Sequence, residues 1–224
     1  TLGTVLEKYN ELTKDNTEVL AIHLTKELSG TFSTSLQATT MLEDTNNKAV
    51  SVDSKFVART LAFQVLKACE CAEKGMTIEE TLPILEEVKA NTILYISLSN
   101  LDNLIKGGRI SHLKGSITKL LNIKVNLKLI EGKLDIDSKG RGNKSILKRH
   151  VEIMNEVKNK EVVSIGITHT GMTETLETII KKLKEAGCGV DCSSYTELMI
   201  ADKLGFRNDE IMFSSNETPA GEFK

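Results

Sequence analysis

The residues best suited to chemistry are Ser29, Gly30 and Thr31, in the run Leu28-Ser29-Gly30-Thr31-Phe32. They follow an apolar run, Val19–Leu24, that is typical of a buried parallel strand, and they precede residues spaced like one face of a helix. A small, hydroxyl-bearing turn between a strand and a helix collects backbone N–H groups, two hydroxyls and the positive end of a helix dipole. The run therefore indicates a site for a carboxylate or phosphate, with an ordinary helix N-cap as the alternative.

A second polar group, Ser54, follows the next predicted strand, Lys48–Val52. Alternating strands and helices predict a parallel, doubly wound sheet in this part of the chain. In such sheets ligands bind beyond the carboxyl ends of the strands. We therefore expect Ser29 and Ser54 to lie at the same edge of the sheet.

The remaining elements suggest a different organisation after about residue 90. Before that point we predict helices that end near residue 43, that span 57–74 and that start at the capping box of 77–80. After it we predict a strand at 93–98, a helical turn at 101–105, a short helix at 113–121 and a hairpin of 124–130 and 133–137. A helix at 145–159 and a strand at 162–167 follow. The predicted fold class is α/β. A parallel-sheet domain over residues 1–90 precedes a smaller α+β domain over 91–185 and an atypical tail over 186–224.

Two cationic glycine segments have open interpretations. Arg109, after Gly107-Gly108, pairs an acid in a ligand or partner, or it is a solvated residue at a helix C-cap. The segment Gly140–Lys144, predicted to be a glycine turn, contains Arg141 and Lys144 and forms a docking patch or a plain hairpin exit. His169, at a predicted strand end, is a polar contact, a catalyst or a structural residue.

Composition excludes several classes of protein. The 224 residues carry 29 Lys+Arg and 31 Asp+Glu, a net charge of -2, and no Trp, which argues against nucleic-acid binding. No apolar run approaches the roughly 20 residues that span a bilayer, and no signal peptide is evident. The chain has four cysteines, Cys69, Cys71, Cys188 and Cys192, and they lack the spacing of metal ligands. We therefore expect reduced thiols in a cytoplasmic protein.

No complete catalytic set is evident. The chain has no GxGxxG or GxxxxGK[ST] phosphate loop, no Ser-His-Asp set that can be ordered, and no paired carboxylates that suggest a metal. This pattern favours binding over chemistry.

Eight short segments occur in the order found in one family. They are Val5–Tyr9, Leu28–Phe32, Val52–Lys55, Leu101–Ile110, Leu121–Lys124, Glu131–Lys133, Gly140–Lys144 and Ile165–His169. Over residues 1–185 the chain resembles the DegV family, bacterial fatty-acid-binding proteins of the EDD fold that present acyl chains to a fatty acid kinase.

The resemblance implies a lipid-binding protein without enzymatic activity or cofactor, which holds one long acyl chain in a buried tunnel. It assigns the carboxylate to Ser29, with Gly30 and Thr31 shaping the turn and with Ser54 and Arg109 nearby. Arg109 and Arg141 match family positions that serve the head group or the kinase, and we assign docking of the kinase to Arg141 and Lys144. The implied partners are therefore a long-chain fatty acid and a fatty acid kinase, with no nucleic acid and no stable membrane insertion.

Both ends depart from the family pattern. The family begins with a strand and a Thr-Ser-x-Pro loop, so we expect this chain to be truncated at its N-terminus. Residues 186–224 resemble part of the barrel of pyridoxal-phosphate-dependent diaminopimelate decarboxylases and predict a strand, a helix and a strand. The alternative function is therefore an enzyme fragment, either decarboxylase-like or a dihydroxyacetone-kinase-like phosphotransferase that would use His169.

Overall fold

Two short apolar runs pair as parallel strands. In the computed structural model, β1 (Val19–His23) lies beside β2 (Ala49–Asp53), with Val19 opposite Ala49 and His23 opposite Asp53. The structure describes residues 1–42, 48–98, 101–113, 123–157, 159, 161, 174–185, 187, 189–192 and 195–213. The chain forms two compact units, Thr1–Gly140 and Arg141–Lys224. The domain boundaries near residues 90 and 185 stay predictions.

Helices cover both faces of the β1–β2 sheet, which confirms the predicted α/β class. The described helices of the first unit are α1 (Leu2–Thr13), α2 (Thr31–Thr39), α3 (Ala58–Glu73), α4 (Ile78–Ala90) and α5 (Asp102–Lys106). Tyr9 of α1 and Ser35 of α2 approach one face of the sheet. Side chains alternate along a strand, so Leu20 and Ile22 point to the opposite face, where α3 lies.

The predicted capping box at the start of α4 is confirmed. The Thr77 hydroxyl accepts a hydrogen bond from the Glu80 N–H at 3.2 Å, and the Glu80 carboxylate accepts one from the Thr77 N–H at 2.9 Å. Two N–H groups that the helix itself leaves without acceptors are thereby bonded.

Helix α2 is shorter than predicted: it ends at Thr39 and not near residue 43. The Thr39 hydroxyl donates to the Leu36 carbonyl at 2.7 Å, and the Thr40 hydroxyl donates to the Gln37 carbonyl at 2.8 Å. These side chains compete for carbonyls that would otherwise accept N–H groups of a continuing helix.

A second, antiparallel sheet follows in the same unit, in the order β3 (Tyr95–Leu98), β4 (Ile123–Ile130) and β5 (Lys133–Arg141). Strands β3 and β4 are antiparallel, with Tyr95 opposite Lys128 and Leu98 opposite Val125. The predicted hairpin is confirmed, since a turn at Glu131-Gly132 joins β4 to β5.

The predicted glycine turn at residues 140–142 is wrong. Gly140 and Arg141 end β5, and Gly142 is the first residue of helix α6 (Gly142–Val157). Gly142 has φ +67, a left-handed conformation that glycine adopts easily, so one residue makes the corner between strand and helix. The predicted short helix at 113–121 begins as a 3₁₀ turn, Ser111–Leu113, and its remaining residues lie outside the described ones.

One apolar core joins the antiparallel sheet to the segments that follow β1 and β2. It consists of side chains at most 8% exposed: Phe56, Leu101, Ile110, Leu113, Val125, Leu127, Leu129 and Leu134. Leu28 packs against the same cluster. Leu28 and Phe56 therefore anchor the carboxyl ends of the parallel strands in the core of the second sheet.

The tip of the β4–β5 hairpin fits against the same strand ends. The Thr25 hydroxyl donates to the Gly132 carbonyl at 3.0 Å. On either side of Gly132, Glu131 is ion-paired with Lys55, and Lys133 lies 3.6 Å from the Glu27 carboxylate. Because both pairs are exposed they add little stability, whereas the buried Thr25–Gly132 hydrogen bond fixes the position of the tip.

The second unit contains the predicted strand, helix and strand of the tail. These are β6 (Val190–Cys192), helix α8 (Tyr195–Lys203) and β7 (Ile211–Phe213), preceded by helix α7 (Glu174–Glu185). The strands are parallel, with Val190 opposite Ile211, and Ala201, Leu204 and Phe206 form their buried core. The predicted strand at 162–167 lies outside the described residues.

Within the described ranges, no helix is both long enough and apolar enough to cross a membrane.

Substitution Gly132→Ala is expected to lower the free energy of unfolding by more than about 1 kcal/mol. Gly132 has φ +84, and an added Cβ would overlap the Thr25 hydroxyl. The matched control is Gly75→Ala, where φ is +73 but no atom lies within 4 Å of the added Cβ. Urea unfolding of both variants separates backbone strain from the overlap, and an equal loss in the two variants would show that the overlap costs nothing.

Candidate functional site

The hydroxyl of Ser29 lies at the N-terminus of α2. It accepts a hydrogen bond from the Thr31 N–H at 3.3 Å and lies 2.8 Å from the Thr31 hydroxyl. Gly30 is the N-cap residue and offers no side chain, so Ser29 bonds the first helical N–H from one residue further upstream. The predicted grouping of two hydroxyls at a helix N-terminus is present.

The Ser29 turn, defined as residues Leu28–Thr31, is open on one side. Ser29 is half-buried, Gly30 and Thr31 are exposed, and no heavy atom lies within 4 Å of a Cβ built on Gly30. The first N–H groups of a helix have no acceptor within the helix and carry partial positive charge. An anion at this position would receive hydrogen bonds from hydroxyls and backbone N–H groups together.

Arg109 is adjacent to this turn. Its Nε donates to the carbonyl of Leu28 at 3.2 Å, and its Nη1 donates to the carbonyl of Gly107 at 2.6 Å. The structure therefore brings together two sequence-predicted site residues, Ser29 and Arg109, that are 80 positions apart. The guanidinium is exposed and adds positive charge beside the helix N-terminus.

Ser54 ends up at the predicted edge, but its hydroxyl is fully buried and internally bonded. It accepts from the Phe56 N–H at 3.1 Å and lies 3.2 Å from the Phe56 carbonyl. Its own N–H donates to the carbonyl of His23, and its carbonyl accepts from Gln64. These bonds hold the ends of β1 and β2 together, and its part in ligand binding stays a prediction.

The two residues predicted to dock a partner lie at the corner between β5 and α6. Arg141 is the last residue of the strand, and Lys144 is in the first turn of the helix. Both are exposed. His169 lies outside the described residues.

The comparisons with known proteins agree on one family. A family model described as "Uncharacterised protein, DegV family" matches residues 1–198. The chain belongs to the DegV family. A DegV domain-containing protein of Listeria innocua is 36% identical over 185 residues, covering 82% of this chain and 65% of the relative. The chain thus spans about 65% of the length of that curated relative.

Solved DegV structures share the fold. A DegV protein of Bacillus subtilis, described as a fatty acid binding protein, is 25% identical with a TM-score of 0.67, over 96% of this chain and 69% of that one. A fatty acid binding DegV family protein of Streptococcus agalactiae is 24% identical with a TM-score of 0.71, over 96% and 69%. The family model extends past residue 186, and the resemblance of the tail to a decarboxylase stays a prediction.

A buried polar network in this DegV chain was missed by reasoning from sequence. The Tyr9 hydroxyl lies 3.5 Å from Nε2 of His23 and hydrogen-bonds to Ser35, whose hydroxyl lies 2.6 Å from that of Ser51. His23 and Ser51 share one face of the sheet, because Ser51 is opposite Ala21 and His23 is two residues after Ala21 on the same strand. The network connects α1 and α2 to the sheet and so supports the helix that carries the Ser29 turn.

An apolar cleft lies on the other face of β1. It measures about 490 Å³, and most of its lining is apolar, although Glu18 and Thr81 also contribute to it. The apolar side chains come from β1, α3 and α4 and include Leu20, Ile22, Val65, Ala68, Ala72 and Met76. An unpaired carboxylate is costly in such a lining. Among the described residues, recognition of an anionic head group is therefore better assigned to the Ser29 turn.

In the part of the chain that the structure describes, no group of three or more His, Cys, Asp or Glu side chains is placed so that it could hold a metal ion.

Acidification is expected to destabilise the protein through His23. Burial lowers the pKa of this imidazole below its ordinary value of 6.5. The unfolded chain therefore binds more protons, so the contribution of His23 to stability is present above about pH 6.5 and is lost as the pH falls through the lowered pKa. Urea unfolding from pH 7.5 to 5 should show a shallower loss of stability for His23→Gln than for the unmodified chain. Parallel pH profiles would contradict this account.

Proposed function

We propose that this chain binds a long-chain fatty acid, with the carboxylate at the Ser29 turn. The observation that carries the proposal is the pair of hydroxyls of Ser29 and Thr31, 2.8 Å apart at an open helix N-terminus. Arg109 beside the turn supplies a cation. A carboxylate matches this set because it accepts hydrogen bonds at both oxygens and carries one negative charge.

Family membership supports the choice of a fatty acid over other anions. The DegV protein of Bacillus subtilis is described as fatty acid binding, and the same fold is present here. The acyl chain would lie in an apolar tunnel, where burial contributes about 0.8 kcal/mol per methylene. The acyl chain would then supply most of the affinity, while the Ser29 turn would select for the carboxylate.

We further propose that the chain acts as a carrier that presents the bound carboxylate to a separate fatty acid kinase. Arg141 and Lys144 are exposed and three residues apart at one corner, so both can contact the same acidic surface of a partner. Complementary charges of this kind speed the encounter of two proteins more than they tighten it.

Substitution Ser29→Ala is expected to weaken oleate binding roughly 10- to 100-fold, since it removes one hydrogen bond to a charged group. The matched control is Ser33→Ala, at an exposed position in the first turn of the same helix, and it should leave the affinity within about twofold. Isothermal titration with delipidated protein measures both. Equal affinities for oleate in Ser29→Ala and the unmodified chain would overturn the assignment of the carboxylate.

Substitution Arg141→Glu is expected to slow acyl-phosphate formation when the oleate-loaded chain is mixed with ATP and a bacterial fatty acid kinase. The reason is repulsion between the new carboxylate and an acidic docking surface. Lys182→Glu, in α7 and with a side chain 54% exposed, makes the same change of charge on a different helix. Equal rates for the two variants at low ionic strength would contradict the docking role of Arg141.

A further inference from the structure

We infer that Thr25 positions the Ser29 turn by tying it to the tip of the β4–β5 hairpin. This inference rests on the proposed binding of a carboxylate at Ser29. Thr25 follows β1 and is four residues before Ser29. It is fully buried, whereas the turn that it supports is open to solvent.

Every polar group of Thr25 is bonded. Its carbonyl accepts the N–H groups of Leu28 at 3.1 Å and Ser29 at 3.2 Å. Its N–H donates to the carbonyl of Phe56 at 2.9 Å. Its hydroxyl donates to the carbonyl of Gly132 at 3.0 Å and accepts the Glu27 N–H at 3.3 Å. The residue therefore binds the Ser29 backbone on one side and the hairpin tip on the other.

The hairpin tip is a fixed support for this contact. Gly132 is buried, has φ +84 and has no room for a side chain on the side of Thr25. The flanking residues Glu131 and Lys133 pair with Lys55 and Glu27, which follow β2 and β1. Displacement of the Thr25 hydroxyl would therefore have to move both the tip and the segment that leads to Ser29.

Positioning matters because hydrogen bonds to a carboxylate depend steeply on distance and angle. A hydroxyl held before the ligand arrives loses less conformational freedom on binding, and so it contributes more to affinity. The backbone of Ser29 is held by the Thr25 carbonyl, and that of Leu28 is held by both Thr25 and Arg109. Removal of the Thr25 hydroxyl should release the turn without altering any group that touches the ligand.

The test compares oleic acid with oleyl alcohol, which has the same chain but no charge. In Thr25→Val the preference for the acid should fall about tenfold, as expected when a hydrogen bond to a charged group is misaligned. Thr25→Ser keeps the hydroxyl and should restore the preference. Thr13→Val is the matched control, because the Thr13 hydroxyl is equally buried and donates to the Tyr9 carbonyl at 2.8 Å, but on α1.

Hydrogen exchange gives a second readout that needs no ligand. The N–H groups of Leu28 and Ser29 should exchange faster in Thr25→Val than in Thr13→Val at a temperature where circular dichroism shows both variants folded. Unchanged exchange in this segment, an unchanged acid preference in Thr25→Val, or the same loss in Thr13→Val would each overturn the inference. Ser29→Ala separates the two proposals. If Ser29→Ala loses the acid preference and Thr25→Val keeps it, only the role of Thr25 is wrong, whereas an unchanged preference in Ser29→Ala contradicts both.

Discussion

The first unit of this DegV chain depends on the hydrogen bonds of one buried residue, Thr25. Thr25 has no solvent exposure, and each unpaired polar group in such a position would cost about 1–3 kcal/mol. The structure meets this constraint by bringing Phe56, Gly132 and the Ser29 turn to the same residue. The carboxyl ends of two parallel strands and the tip of an antiparallel hairpin are thereby held together, and the candidate site lies at this junction.

Apolar packing acts on the same segments. Leu28 and Phe56 come directly from the strand ends, yet they pack into the core formed by Leu127 and its neighbours in the antiparallel sheet. The side chain of Leu28 is held by the core while its carbonyl accepts from Arg109, so the residue before Ser29 is fixed by two unrelated interactions. A site built on a loop gains from such support, because loops without tertiary contacts are the most mobile parts of a fold.

Much of the fold and part of the site could be predicted from local patterns. The capping box of Thr77 and Glu80, the hairpin turn at Glu131-Gly132 and the strand–helix–strand of the tail each depend on residues close together in the chain, and each is confirmed. The end of α2 and the Gly140–Gly142 corner were predicted wrongly. In both, a competing local preference decided the outcome: threonine hydroxyls that take helix carbonyls, and a glycine with a left-handed φ.

Sequence alone was sufficient to place Ser29 at a helix N-terminus after a parallel strand, and to identify the family through the order of its motifs. It could not show that Ser54 is buried and bonded to Phe56, that Arg109 reaches the carbonyl of Leu28, or that Thr25 joins the hairpin across 107 positions. Local patterns report the conformation of neighbouring residues, because helices, turns and caps bond within about four positions. Contacts across the chain depend on strand register and on how two sheets share one core, which only the tertiary structure decides.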